Sequence, residues 1–338
     1  MTVSPKVTFI IVARDAERHL PAALACLAAQ DYPSERLQCL FVDGLSADGT
    51  RRLAAEFKAA HPALDFSILD NPGRLLASGW NAALARAQGD VVLRVDAHSE
   101  FPPDFVRRHI EARSGGRAIT GGPTTTNWED GGGLIALAEN SPFGGGAAAF
   151  RRRTEPGFVD TLAHAAYDRA VFAEVGGYDE RLARTEDNEI HHRMKRAGHR
   201  FWFDPAIRST RRARATVSGL LRQKYGNGLW IGLTLGVAPG AFGVRHFVPG
   251  AFTLALLGAL ALGPALSWLP LAGLLAAYAA AAAGFAFAAA GPARAPALAG
   301  LFFLMHCAYG FGTLAGLAAM PWFKWKTRRY SVPRPVAR

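Results

Sequence analysis

After Asp204 the chain runs for 134 residues without a single Asp or Glu, although that stretch holds 14 Lys and Arg. It also holds most of the long apolar runs, at about 247–269, 270–290 and 297–320. Each approaches the roughly 20 residues needed to cross a hydrocarbon core. A soluble domain could absorb them only in an unusually large, charge-free core, so a bilayer is the expected surroundings. Residues 220–237 are part amphipathic and broken by glycines, which suits a segment lying flat in the interface.

The net charge of +11 is therefore misleading until it is divided. Residues 1–204 hold 24 basic and 27 acidic side chains, so the excess lies entirely in the acid-free part. Positive charge flanking apolar runs faces anionic lipid headgroups more readily than nucleic acid, and no nucleic-acid partner is expected. Cys26, Cys39 and Cys307 are scattered without a CxxC pair, which indicates neither a zinc site nor a disulfide framework. The apolar run 7–12 is too short, and too quickly followed by Arg14, Asp15, Glu17 and Arg18, to read as a signal peptide.

Before Asp204 the patterning is that of an α/β domain. Strand-like runs at 7–12, 37–42, 66–69 and 91–95 alternate with helical patterns at 18–29, 51–60 and 78–87, with Ser78 a plausible cap. Such βαβ units imply a mostly parallel sheet covered on both faces. Ligands then bind beyond the carboxyl ends of the strands, where Asp43 and Asp96 fall. Residues 121–157 are Gly-rich and read as loops and short strands. Helical patterning returns at 169–175 and 186–197, and a short aromatic strand spans 200–204.

Three acidic motifs carry the chemistry. Asp43-Gly-Leu-Ser-Ala-Asp-Gly-Thr50 places a carboxylate at a strand end among small residues, suited to a nucleobase or ribose, with an Asx-type turn as the plain alternative. In Arg94-Val-Asp-Ala-His98 the period of two points Asp96 and His98 to one side. With diphosphate oxygens completing the shell, that pair suits Mg2+ or Mn2+, the imidazole tilting towards Mn2+; a surface turn is the alternative. Glu186 and Asp187 open a helix, where one carboxylate satisfies capping and the other is available as a base. Arg193, two turns along on the face of Glu186, is placed to meet a diphosphate. Gly176-Gly-Tyr-Asp-Glu180 reads as a turn with a packing role.

These motifs, in this order, resemble glycosyltransferase family 2, the inverting enzymes of the GT-A fold, and within it the succinoglycan-type exopolysaccharide branch. The likeness covers about residues 5–230 and rests on 9–17, 41–50, the stretch from Asn71 through Asn81 to Gly89-Asp90, 92–98 and 176–198. It implies that Asp43 holds the nucleoside and that Arg74 lies near base or phosphate. Asp96 and His98 occupy the place of the family's DxD motif, with His98 departing from its usual final Asp. Asp187 is the implied catalytic base. The processive synthases' Gln-x-x-Arg-Trp is absent, since Gln223 is followed by Lys-Tyr-Gly-Asn, which argues for adding one sugar.

The expectation is thus a GT-A, Rossmann-like nucleotide-sugar-binding domain at 1–215, an interfacial segment at 216–246, and a membrane region at 247–338 with about three hydrophobic helices and a basic tail. The partners are a nucleotide-diphosphate sugar, a lipid-linked saccharide acceptor and the lipid bilayer, with a divalent cation, Mn2+ or Mg2+, as cofactor. The catalytic domain is expected on the cytoplasmic face of the inner membrane in a multi-pass chain. Lys324, Lys326, Arg328, Arg329, Arg334 and Arg338 favour a cytoplasmic tail, hence an even number of crossings, with residues 229–244 a possible fourth. Rivals are a polyprenyl-phosphate sugar synthase, a two-carboxylate hydrolase that would leave Asp43 and Arg74 without a task, and a membrane scaffold or transporter. Transport would place ionisable groups inside the apolar runs, and only His306 is there.

Overall fold

The computed structural model describes residues 4–127, 133–145, 153–212 and 216–331. The Gly-rich residues 128–132, and with them Arg214, Arg334 and Arg338, lie outside the described residues. The chain divides into two compact units, one of residues 4–125 and 153–212, the other of residues 126–145 and 216–330.

In the first unit the strands are β1 (Val7–Ala13), β2 (Leu37–Asp43), β3 (Asp65–Asp70), β4 (Val91–Asp96), β5 (Ser99–Glu100), β6 (Ile119–Gly121), β7 (Thr124–Asn127, reaching into the second unit), β8 (Gly157–Val159), β9 (Ala166–Asp168), β10 (Phe201–Phe203) and β11 (Ser209–Arg212). The main sheet runs β3-β2-β1-β4-β9-β6-β10-β8. Strands β1 to β4 are parallel, as the βαβ pattern predicts, while β9 runs antiparallel between β4 and β6. Because β1 and β2 are buried on both faces, they read as continuous apolar runs. Phe9, Phe41, Phe66 and Leu93 form the core beneath them, and burying each is worth about 1.5–3 kcal/mol.

The helices are α1 (Leu20–Ala28), α2 (Thr50–Ala60), α3 (Leu76–Leu84), α4 (Phe105–Ala112), α5 (Leu134–Asn140), α6 (Arg169–Val175), α7 (Glu186–Arg196), α8 (Val217–Thr234), α9 (Val248–Leu262) and α10 (Leu269–Lys326). In α1 the buried Leu20, Ala23, Leu24 and Leu27 follow the helical period onto the sheet. Ser78 does not cap α3; it lies inside the helix, and its hydroxyl donates to Asn71 Oδ1 at 2.7 Å. Helix α5 stands where loops and short strands were expected. Its Ile135 and Ala138 are buried against Leu220, Ala282 and Phe302 of the second unit, and that packing secures a seven-residue helix.

In the second unit, α10 is one helix long and apolar enough to cross a membrane by length and composition. It is not straight. Gly291 has φ 70° and ψ 176°, and Tyr278 Oη lies 2.9 Å from His306 Nδ1. Twenty-eight residues of straight helix would hold those groups roughly 40 Å apart. The chain therefore folds back at Gly291 into two antiparallel arms, 269–290 and 292–326, with Pro292 and Pro296 in the opening turns of the second. Helix α8 packs along that arm through glycines. A Cβ on Gly228 would meet Tyr309 O at 2.0 Å, and one on Gly316 would meet Leu229 O at 2.1 Å. The glycines that break the sequence period are contact points of a small-residue helix pair. Helix α8 ends at Thr234, so residues 229–244 do not form one continuous helix.

Candidate active site

The register of the parallel strands builds the site. Asp43 pairs with Ala13 on β1 and with Asp70 on β3, and Asp96 pairs with Val12 on β1. Asp43 and Asp96, 53 residues apart in sequence, thus stand at one sheet edge with a single strand between them, roughly 10 Å across. Among the described residues, the non-glycine residues with positive φ are Asp15 (49°), Leu45 (57°), Arg74 (56°) and Thr185 (66°). The first three follow the ends of β1, β2 and β3, and Thr185 opens α7. Left-handed backbone at such residues costs of order 1–3 kcal/mol and gathers where loops are shaped for a ligand.

At the β2 end, the motif 43–50 laces two loops together. Asp43 Oδ1 accepts from the Ser46 N–H at 3.2 Å and from its hydroxyl at 2.6 Å, which is the Asx-type turn. Asp43 Oδ2 faces Arg51 Nη1 at 3.4 Å, and the same guanidinium donates to Asp70 Oδ1 at 2.5 Å. Asp43 is only 1% exposed, so its carboxylate shapes the loop from within while Arg51 is half-exposed above it. Asp48 and Glu17 tie the β2 loop to the β1 loop by backbone hydrogen bonds at 3.0 and 2.9 Å. Arg74 is exposed in the loop after β3, which the buried Asn71 braces by donating to Leu75 O at 2.8 Å.

At the β4 end, Asp96 closes the strand and His98 lies in the turn after it; both are half-buried, with the buried Ala97 between them. His164 is buried behind Asp96. Its Nε2 lies 3.0 Å from Ser99 Oγ and 3.4 Å from Asp96 Oδ2, and its Nδ1 lies 2.9 Å from Ser209 Oγ. Burial pulls the Asp96 carboxyl upward. The His164 hydrogen bond and the charges of His98, His164 and Arg94 outweigh that pull and hold it well below the usual carboxylate range. An ionised carboxylate beside a half-exposed imidazole fits a divalent cation whose remaining ligands come from a diphosphate. Among the described residues no three His, Cys, Asp or Glu side chains come together as a ready-made metal shell.

Helix α7 closes the site. Asp187 accepts a hydrogen bond from Arg94 Nη1. Arg94 lies buried in β4, two residues before Asp96, with its guanidinium 5.3 Å from the Trp80 ring and 5.6 Å from the Tyr178 ring. Glu186 is buried, and desolvation, followed by the neighbouring Asp187 charge, pushes its carboxyl up to about 8. Glu186 therefore keeps its proton at neutral pH, and Asp187 beside it is half-exposed. Behind them His191 is held between the hydroxyls of Thr161 and Tyr167, each at 2.8 Å, and burial pushes its pKa down to about 3.

Arg193 does not face the site. Its guanidinium is taken up by both Glu189 oxygens at 2.7 Å, by Gly177 O at 2.6 Å and by Val175 O. The expected diphosphate contact gives way to an i,i+4 ion pair that pins the Gly176–Gly177 turn to α7. That turn packs as expected: Tyr178 and Asp179 are buried, and Asn81 Oδ1 accepts from the Tyr178 N–H at 2.7 Å. Sequence reasoning missed Arg51, Arg94 and His164. The period of two that joins Asp96 to His98 also includes Arg94, whereas His164 carries no sequence signal.

Parallel strands whose carboxyl ends gather carboxylates, with an antiparallel strand set into the sheet, define a GT-A-like α/β fold. Residues 8–176, half of the chain, match the family described as Glycosyl transferase family 2, and the chain belongs to that family. Over 193 residues it is 31% identical to the succinoglycan biosynthesis protein ExoA of Rhizobium meliloti, a match covering 56% of this chain and 58% of that one. Over 116 residues it is 28% identical to an undecaprenyl-phosphate 4-deoxy-4-formamido-L-arabinose transferase of Aeromonas hydrophila, covering 34% and 36%. The chain thus spans little more than half the length of the first relative and about a third of the second. Among solved structures it resembles the mannosyltransferase PcManGT of Pyrobaculum calidifontis, in complex with GDP-Man and Mn2+. That likeness has a TM-score of 0.57 at 20% identity, covers 95% and 88% of the two chains, and concerns the fold alone.

Proposed function

We propose that the chain moves one sugar, with inversion, from a nucleotide-diphosphate sugar to a polyprenyl-diphosphate-linked saccharide in exopolysaccharide or other cell-surface glycan synthesis. The observation that carries this reading is the shared strand edge, with Asp43 and Arg74 at one end, Asp96 and His98 at the other, and Asp187 bound to β4 through Arg94. The nucleoside lies over the β2 and β3 loops, and the diphosphate reaches Asp96 and His98. Asp187 takes the proton of the acceptor hydroxyl as that oxygen bonds to the anomeric carbon. The bond to the diphosphate oxygen breaks, and its electron pair leaves with the nucleoside diphosphate. Asp96 and His98 would hold a divalent cation such as the Mn2+ of the Pyrobaculum complex, which would supply charge stabilisation for that leaving group.

The acid-free tail supports an acceptor carried in lipid. Helix α9, at 15 residues, is roughly 22 Å long and short of a span, whereas each arm of α10 exceeds the ~30 Å core. Of the three apolar helices, α9 and the two arms of α10, the two arms are long enough to cross, and two crossings would return Lys324 and Lys326 to the cytoplasmic side. In a variant lacking native cysteines, Ser331→Cys should then resist a membrane-impermeant thiol reagent in intact cells; labelling without permeabilisation would put that end outside.

The decisive experiment screens nucleotide sugars for thermal stabilisation of detergent-solubilised protein, then measures transfer from the best donor. Asp187→Asn should keep donor stabilisation and lower transfer by roughly 10²–10⁴. Retained turnover would remove Asp187 as base and move the test to Glu186, and stabilisation by no nucleotide sugar would sink the reading. The Aeromonas relative's name favours a second acceptor, polyprenyl phosphate itself, which direct competition between the two lipids decides.

A further inference from the structure

The proposed function leaves Arg94 without a task, yet it is among the most deeply placed charges in the first unit. The residue is 6% exposed and its guanidinium lies against the rings of Trp80 and Tyr178; Nη2 donates to Ala163 O at 3.2 Å and Nη1 to Asp187 Oδ1. A buried cation is costly unless paired, and a surface ion pair would serve folding at lower cost. The sheet period explains the placement: Arg94 and Asp96 point to one side of β4, and His98 lies in the turn that follows, so the partner of Asp187 is built into the element that carries the diphosphate end of the site.

We propose that Arg94 is a positioning residue for the transfer step: it grips one oxygen of Asp187 and leaves the other aimed at the acceptor hydroxyl. This rests on reading Asp187 as the base. Two aromatic faces and a backbone carbonyl hold the fork, so the carboxylate it grips has little freedom to turn. Lysine would keep the charge but, as a point donor, could not span Asp187 and Ala163 O together.

The test is a double-mutant cycle on the full-length, detergent-solubilised protein. Arg94→Met should lower kcat roughly 10–100-fold, the usual cost of losing an orienting partner. Donor KM and donor-induced stabilisation should stay within about twofold, because Arg94 acts through Asp187, which the proposed function gives no part in holding the donor. Arg94→Lys should restore part of kcat. The R94M/D187N double variant should be no slower than Asp187→Asn alone, since Arg94 acts only through that carboxylate. Multiplied losses in the double variant, or unchanged kcat in Arg94→Met while Asp187→Asn is inactive, would overturn the role of Arg94 and leave the base assignment standing. An active Asp187→Asn would overturn both. Should Arg94→Met fail to be stabilised by donor, the same cycle run with Arg94→Lys decides the matter by the same criterion.

Discussion

The two units solve the burial problem in opposite directions. In the first, Phe9, Phe41, Phe105 and Phe201 are fully hidden, and charged side chains face outward in ion pairs such as Arg107–Asp31 and Arg52–Glu56. In the second, Leu254, Leu266, Leu269, Phe287 and Trp322 are exposed, while glycines, alanines and the ion pair Glu139–Lys224 share the interior with a small apolar cluster around Leu220, Leu298 and Phe302. Hydrophobic burial in water cannot organise a unit that shows its leucines. Close backbone approach and internally satisfied polar groups can, and they are what a bilayer demands. On the proposed function, chemistry falls to the first unit and anchorage to the second.

Removing divalent cations should break the comparison most sharply. Chelation should lower transfer by about 10²-fold or more, several kcal/mol of charge stabilisation being at stake, and leave the unfolding of the second unit unmoved. Asp for His98 should stay active with a shifted preference between Mg2+ and Mn2+. Full activity in excess chelator would remove the cation from the mechanism.

Inside the second unit, Glu139→Leu leaves Lys224 buried without this carboxylate and should cost about 3–5 kcal/mol in detergent unfolding. Replacing Glu139 and Lys224 together by Leu and Met should recover much of that loss, and donor binding in the first unit should not change. Gly312→Val forces a Cβ to within 2.1 Å of Tyr225 O and should cost about 1–3 kcal/mol. Gly273→Ala, where nothing lies within 4 Å, should stay within about 0.5 kcal/mol of the parent.

A pH dependence is expected that is confined to the first unit. Burial pushes the pKa of His109 from 6.5 down to about 3. Between those values the unfolded chain binds a proton that the folded one refuses, so stability falls as pH drops through that window. The slope is at most about 1.4 kcal/mol per pH unit for each such histidine. His109→Gln should flatten the fall in melting temperature below pH 6; an unchanged slope would refute the assignment.

What the sequence reveals follows the range of each interaction. Strands buried on both faces appear as apolar runs, so β1, β2 and β4 were legible almost to the residue, and their ends located Asp43 and Asp96. Helix α7 was legible because acids open it and Gly198 follows it. Helix α4 was missed although Phe105, Val106, His109 and Ala112 mark its inner face, because a buried histidine reads as polar. His164 meets Asp96 across 68 residues, a distance at which spacing carries no information. Arg193 was misread because a long cation has many possible partners, and Glu189, one turn away, competes with any ligand.

The middle of the chain lends a helix to its end. Helix α5 is synthesised well before α8 and α10, yet its Ile135 and Ala138 pack with Leu220 and Phe302, and its Glu139 meets Lys224. A truncation after residue 215, the natural choice for a water-soluble catalytic fragment, would carry a short apolar helix stripped of its partners and an acid stripped of its base. Such a fragment should precipitate or demand detergent although every strand of its sheet is intact. Excising the first unit as a soluble reagent takes two cuts, one on each side of α5, and a linker to rejoin what remains.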